Sequence, residues 1–260
     1  MGFIDVLRSS LNKRPAKLIA SPKRASVAAI FRHSPLDPRD KVQLLYIRRK
    51  VNPRDTWSGH MAFPGGRTNE GEADLAAAIR ETHEEIGLHL NETHVVGRLN
   101  DRPVYYGRTV AAPFVFLLGR DDAAFEPVLQ AKEVSDVLWV DLDFLVTAPI
   151  QTLQIPTKYI LPNVDDIPAT VDEAQRDSLK AMTHINFPCI YLDRPERRVH
   201  GLPDDAVARP VHDFVLWGLT YNMTSDILKA GGHKALPSMS AAVRSVREAV
   251  FMDKMAKSNL

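Results

Sequence analysis

Apolar positions along this chain follow two periods. Ser26–Phe31 and Val42–Ile47 are short runs rich in strand-forming residues, separated by a loop holding Pro35 and Pro38, and the spacing predicts a hairpin. Val95–Leu99, Val110–Leu118, Val137–Trp139 and Phe187–Leu192 read as further strands. Between these runs the period lengthens. Leu75, Ile79, Thr82 and Ile86 recur at helical spacing and predict a helix over roughly 73–86, with Gly87 as its stop. Val211–Lys229 and Met239–Ala256 read as C-terminal helices, broken by Gly231-Gly232 and Pro237. Residues 147–183 carry four prolines and one short helical pattern at Val171–Met182. That is longer than an ordinary connection, so it is expected to be an insertion, a lid or a small subdomain. Strands alternating with helices place the chain in the α/β class.

Charge and composition change this picture little. The chain has 260 residues and a formal net charge of +1, so bulk electrostatics favours neither nucleic acid nor an anionic membrane as partner. No apolar run reaches the roughly 18 residues of a membrane span. Cys189 is the only cysteine, which excludes an internal disulfide; within the apolar run Phe187–Leu192 it reads as a small buried hydrophobe. Residues 1–25 carry Arg8, Lys13, Arg14, Lys17, Lys23 and Arg24 against Asp5 alone. They read as a basic N-terminal arm, with a mitochondrial transit peptide as the alternative. The tail Ser258-Asn259-Leu260 is a relaxed form of the peroxisomal tripeptide. The default location is cytoplasmic.

The predicted helix over 73–86 carries the chemistry. At about 100° per residue, with Glu81 at zero, Glu84 falls near −60°, Glu85 near +40° and Arg80 near −100°. Three carboxylates on one face repel one another unless a cation lies between them. Mg²⁺, a hard ion that takes oxygen ligands and accompanies phosphate-bearing substrates, meets that need. Ahead of the helix, Phe63-Pro64-Gly65-Gly66 is a tight turn in which glycine lets the backbone approach a ligand closely.

Written out, the pattern is Gly66, five residues, Glu72, seven residues, Arg80-Glu81, two residues, Glu84-Glu85, one residue, Gly87-Leu88. It resembles the Nudix box of hydrolases that cleave a diphosphate linked to another group. Thr82 is its one departure, at a position that is usually aliphatic. Upstream, Leu44-Leu45-Tyr46-Ile47-Arg48-Arg49, Arg54 and Gly59 to Gly66 are similar to the added signature of the coenzyme A diphosphatase branch. So are Ala112-Pro113-Phe114-Val115, Glu133-Val134, Trp139-Val140 and Trp217-Gly218-Leu219-Thr220 downstream. Tyr46 stands where that signature has threonine and Arg49 where it has a small residue, and the gaps on either side of Arg54 are each one residue longer.

The resemblance implies a Nudix fold, a mixed β-sheet sandwiched between helices. The domain is expected over residues 26–230, with the insertion at 147–183 and a C-terminal helix in 231–260. It implies Mg²⁺, with Mn²⁺ as a substitute, held by Glu81, Glu84, Glu85 and a backbone carbonyl of the Gly65-Gly66 turn. Arg80 would orient the carboxylates. The general base would come from the box glutamates or from Glu133 in a later loop, and Glu72 would brace the loop before the helix. Arg48 and Arg54 have forks that match phosphate oxygens. His60 and Phe63 are candidate substrate contacts, His83 points away from the metal face, and Trp57, Tyr105 and Tyr106 are candidates for stacking on a base.

The partner implied is a small diphosphate, without nucleic acid or membrane, and a homodimer is an allowed assembly. Coenzyme A is the first substrate expected. ADP-ribose, a dinucleotide or an inositol pyrophosphate is the alternative, and a non-catalytic binding module comes third. The complete set Arg80, Glu81, Glu84 and Glu85 weighs against that last reading.

Overall fold

The computed structural model describes residues 2–37, 40–52, 58–104, 109–160, 167–192 and 214–257. Arg54, Trp57, Tyr105, Tyr106 and the tail 258–260 lie outside them. The elements in chain order are α1 (Phe3–Lys13), β1 (Lys23–His33), β2 (Val42–Arg49), β3 (Met61–Ala62), β4 (Gly65–Arg67), α2 (Asp74–Ile86), β5 (Val95–Arg98), β6 (Arg102–Val104) and β7 (Thr109–Leu117). They continue with β8 (Val134–Asp141), α3 (Leu142–Thr147), β9 (Gln151–Pro156), α4 (Thr157–Ile160), α5 (Glu173–Ala181), β10 (His184–Tyr191), β11 (Val215–Leu216), α6 (Gly218–Ala230) and α7 (Ala241–Ala256).

β1 and β2 form the expected hairpin, but only at its closed end, where Phe31, Arg32 and His33 face Leu44, Gln43 and Val42. Further out the two strands part. Ala25–Val27 pair with Arg67–Gly65 of β4, and Ile47 and Arg48 pair with Ala62 and Met61 of β3. The turn through Phe63 and Pro64 is thus wedged into a split sheet, with the Ala28 N–H donating to the Pro64 carbonyl at 2.8 Å. β1 runs parallel to β7, whereas β2 and β8, and β5 and β7, are antiparallel, so the sheet is mixed.

Alternation along the strands sends side chains to two cores. Ala28, Ile30, Leu45, Ile47, Ala112, Phe114 and Phe116 lie under α2, together with Ala78 and Ile86 of that helix. Ala29, Phe31, Leu44, Tyr46 and Val115 face the other way, toward Ile4 and Leu7 of α1 and Tyr221, Met223 and Ile227 of α6.

The N-terminal arm is therefore largely a docked helix. Ile4, Leu7 and Leu11 recur at helical spacing and pack on the core, and Asp5 accepts a hydrogen bond from the Gly2 N–H at 3.0 Å. Its last basic residues, Lys23 and Arg24, open β1.

The segment after residue 147 and the C-terminal helix share a core of their own. Ile155, Ile160, Leu179, Ile185 and Phe187 pack with Val243, Val246 and Val250 of α7. β9, β10 and β11 form a three-stranded antiparallel sheet beside these groups. The helix expected from Val211 begins only at Gly218. Val215 and Leu216 are claimed first by pairing with Tyr191 and Ile190, and Gly218, at a φ of 63°, turns the chain between strand and helix. α7 also reaches the main sheet, where Phe251 and Met255 cover Val110.

Candidate active site

α2 begins without a side-chain cap at Ala73. Its start is fixed instead by a charge network. Asp74, the first helical residue, accepts from Arg24 Nε and Nη2 at 2.9 and 2.7 Å and from Arg98 Nη2 at 2.9 Å. Asp101, whose side chain is 0% exposed, accepts from Arg24 Nη2 at 2.9 Å, Arg98 Nη2 at 2.7 Å and the Ile19 N–H at 2.9 Å. Two arginines and two aspartates thus tie β1, α2 and β5 together at the base of the site. The other end of α2 stops where expected, at a left-handed Gly87 whose N–H donates to the His83 carbonyl at 2.8 Å.

The three box carboxylates occupy graded environments. The Glu84 side chain is 56% exposed, that of Glu81 is 15% exposed, and the whole Glu85 residue is 1% exposed. Burial raises Glu85 to about 8, against which the Gly65 N–H, donating to Oε2 at 2.8 Å, favours the charged form. Arg49 favours the charge as well, whereas Glu81 and Glu133 oppose it. Burial also raises Glu81, partly offset by its hydrogen bond from Arg80. Thr82 loses nothing by replacing an aliphatic residue, since its hydroxyl donates to the Ala78 carbonyl at 2.7 Å.

Arg80 organises this face. Its Nε and Nη2 donate to the two oxygens of Glu72 at 2.8 and 3.0 Å, and Nη1 donates to Glu81 at 2.8 Å and Glu84 at 3.1 Å. Glu72 also accepts the Asn69 N–H at 2.9 Å, and the Arg80 contact holds its carboxyl below the usual range. Glu72 is thus the brace expected of it. The glycine turn presses against the same carboxylates. A Cβ on Gly66 would lie 2.4 Å from Glu81 Cδ, and one on Gly65, whose φ is 151°, would lie 2.2 Å from the Ser26 carbonyl oxygen. Glu133 is exposed, and the Lys50 N–H donates to its carbonyl at 2.7 Å.

Among the described residues no three His, Cys, Asp or Glu side chains converge as a ready metal cage, and Arg80 Nη1 lies against both Glu81 and Glu84. The donor set still fits a hard cation: all oxygen, with one carboxylate buried and short of compensating charge.

The candidate substrate contacts fare differently. The Arg48 side chain is 8% exposed, its guanidinium 3.8 Å from Asp136 and over the Phe214 ring. Phe63, expected at the substrate, is 2% exposed and stacks on Tyr46 at 5.2 Å; the buried turn takes its ring into the core. Tyr46 is itself core, its hydroxyl 2.9 Å from that of Thr224. His60 is partly exposed and meets Trp217 edge-on at 4.9 Å. His83 is exposed, its ring 3.9 Å from that of His89.

Sequence reasoning missed Arg49 as a cation acting on Glu85, as well as Arg24, Asp74, Arg98 and Asp101 as the anchor of α2. For Arg49, adjacency to the signature arginine was a signal. For the anchor no local signal exists, since its members are separated by up to 77 residues.

Comparison with known proteins bears on this geometry. The NUDIX domain profile matches residues 23–164, and the chain belongs to the Nudix family. Nudix hydrolase 3 of Caenorhabditis elegans is 28% identical over 193 residues, covering 74% of each chain. The mitochondrial coenzyme A diphosphatase NUDT8 of Homo sapiens is 39% identical over 92 residues, 35% of this chain and 36% of that protein. An uncharacterized protein of Schizosaccharomyces pombe is 35% identical over 155 residues, and the match spans just under half of it, 46%. Among solved structures, a MutT/nudix family protein from Enterococcus faecalis aligns with a TM-score of 0.39 at 20% identity, over 50% of this chain and 48% of that one. No helix among the described residues is long and apolar enough to cross a membrane.

Proposed function

We propose that this chain is a divalent-metal-dependent hydrolase of a phosphorus anhydride, with Mg²⁺ as its ion and a diphosphate of coenzyme A type as its substrate. The observation that carries this reading is Glu85, a carboxylate 1% exposed and raised to about 8, set between Glu81 and the Gly65 N–H. A buried carboxylate beside another is costly unless a cation compensates it. Glu81, Glu84 and Glu85, with a carbonyl of the Gly65-Gly66 turn, would hold that cation. When bound it would neutralise the diphosphate and acidify water at the reacting phosphorus.

The chain's own groups then divide the work. Arg80 fixes the direction of Glu81 and Glu84 through its fork. Glu133, exposed and close enough for its charge to act on both Glu81 and Glu85, is the proposed acceptor of the proton from attacking water. Water attacks one phosphorus in line, and the bridging oxygen leaves with the other phosphate. Arg49 and Arg54 are the proposed phosphate contacts, since Arg48 is engaged by Asp136.

Coenzyme A is supported by the signature around Leu44–Gly66 and by the likeness to the human mitochondrial coenzyme A diphosphatase. The test is product analysis with Mg²⁺ and a panel of coenzyme A, acetyl-coenzyme A, ADP-ribose, NADH and dinucleoside polyphosphates. Coenzyme A is expected to give adenosine 3′,5′-bisphosphate and 4′-phosphopantetheine. Turnover of another diphosphate in its place would refute the coenzyme A assignment and keep the hydrolase.

A further inference from the structure

Trp217 stands where the accessory sheet meets the catalytic domain. It follows β11 and caps α6, and its indole is only partly buried. On one side it packs edge-on against Phe187, itself 2% exposed, at 5.2 Å and 82°. On another it meets the His60 ring at 4.9 Å and 64°. Phe187 belongs to the core shared by the insertion and α7, which therefore fixes the orientation of the indole.

His60 connects this ring to the carboxylate face. Its carbonyl accepts the Arg49 N–H at 3.0 Å, and the Arg49 charge acts on Glu85. Five residues along the chain from His60, the Gly65 N–H donates to Glu85 itself. An extended chain of that length spans at most about 17 Å, and the turn at Pro64 shortens it. An organic arm esterified to a diphosphate held at Glu81 and Glu85 can cover that distance.

We propose that Trp217, with His60 at its edge, is a specificity-determining platform on which an aromatic base of the substrate stacks, and that the elaboration after residue 147 exists to hold it. This rests on the diphosphatase reading above and adds what selects the substrate. A large, rigid π system that packs on Phe187 and stays partly exposed is suited to sequence-tolerant stacking on a base. The partly exposed imidazole adds a polar edge.

The test is calorimetric titration, in the presence of Mg²⁺, of ADP and of inorganic pyrophosphate into the wild-type chain and into Trp217→Leu and Trp217→Phe. Leu keeps apolar packing on Phe187 without a π face, and Phe restores one. Wild type is expected to bind ADP more tightly than pyrophosphate. Trp217→Leu should weaken ADP roughly 5- to 100-fold and leave pyrophosphate within about 2-fold, with Trp217→Phe recovering most of the loss. Equal weakening of both probes would mean a structural role and would overturn the platform, as would ADP binding indifferent to Trp217. ADP binding that depends on Trp217 in a chain that cleaves no diphosphate would keep the platform and remove the hydrolase reading. Cleavage with Trp217-independent ADP binding would do the reverse.

Discussion

Gly66 and Glu81 approach so closely that a Cβ on the glycine would stand 2.4 Å from the carboxylate carbon. The turn and the helix are therefore built as one unit, and the first carboxylate of the site is confined by the glycine backbone on one side and held by Arg80 on the other. Gly66→Ala should push Glu81 aside while leaving both cores untouched. A displacement of about 1 Å at a reacting centre costs on the order of 100-fold in turnover. A drop of that size in kcat with an unchanged circular dichroism spectrum is expected; activity within a few-fold of wild type would mean that Glu81 has room to move.

Arg80 serves three carboxylates from one planar group. Lysine offers a point charge in place of a fork, so Arg80→Lys should keep the charge and lose the geometry. We expect kcat to fall by roughly 10- to 100-fold with KM little changed, read from steady-state kinetics. Glu72→Gln should fall less, because the amide oxygen still accepts one of the two bonds from Arg80.

The burial of Glu85 has a consequence for pH. Its ordinary value is 4.5 and its value in the fold is about 8, so between the two the folded chain binds a proton that the unfolded chain has lost. Stability of the metal-free chain should accordingly fall as pH rises from about 4.5 through about 8. Glu85→Gln removes that slope and keeps an oxygen for the Gly65 N–H. Above pH 8 the variant should be the more stable by up to roughly 5 kcal/mol, for a rise from 4.5 to about 8 at about 1.4 kcal/mol per unit. Urea denaturation in chelator at pH 5 and pH 9 reads the difference, and parallel behaviour of the two proteins would contradict it.

The anchor beneath α2 should matter to stability before it matters to chemistry. The Asp101 side chain is fully buried between Arg24 and Arg98, and Asp101→Ala leaves Asp74 as the one carboxylate of the network serving both guanidinium groups. Removal of one partner from a buried pair typically costs about 3–5 kcal/mol. A lowered melting temperature is expected, with kcat near wild type in the fraction that remains folded. Loss of kcat without loss of stability would assign Asp101 a role in the reaction.

What could be read in advance divides along physical lines. The helix over 74–86, its glycine stop and the carboxylate cluster were legible because period and motif lie in one continuous stretch. The docking of α1 was also written in the spacing of Ile4, Leu7 and Leu11, but the basic residues from Arg8 to Arg24 overlay it with the pattern of a basic arm. Val215 and Leu216 form a strand rather than the start of a helix, because partners far upstream, Tyr191 and Ile190, decide it and no local pattern shows them. Phe63 and Arg48 sit in a signature segment, yet tertiary packing buries both side chains. The network of Arg24, Asp74, Arg98 and Asp101 joins residues from separate elements and leaves no trace in any window of sequence.

The most direct measurement is the Mg²⁺ dependence of diphosphate cleavage by the wild-type chain and by Glu85→Gln, followed by quantitation of both phosphate-bearing products. The wild type is expected to turn over only with the ion present. Glu85→Gln should lose about 10³-fold or more in kcat, on the scale of losing charge stabilisation at the reacting phosphorus. Cleavage by Glu85→Gln at the wild-type rate, or wild-type cleavage undiminished by chelator, would contradict the assignment of the buried carboxylate to the metal.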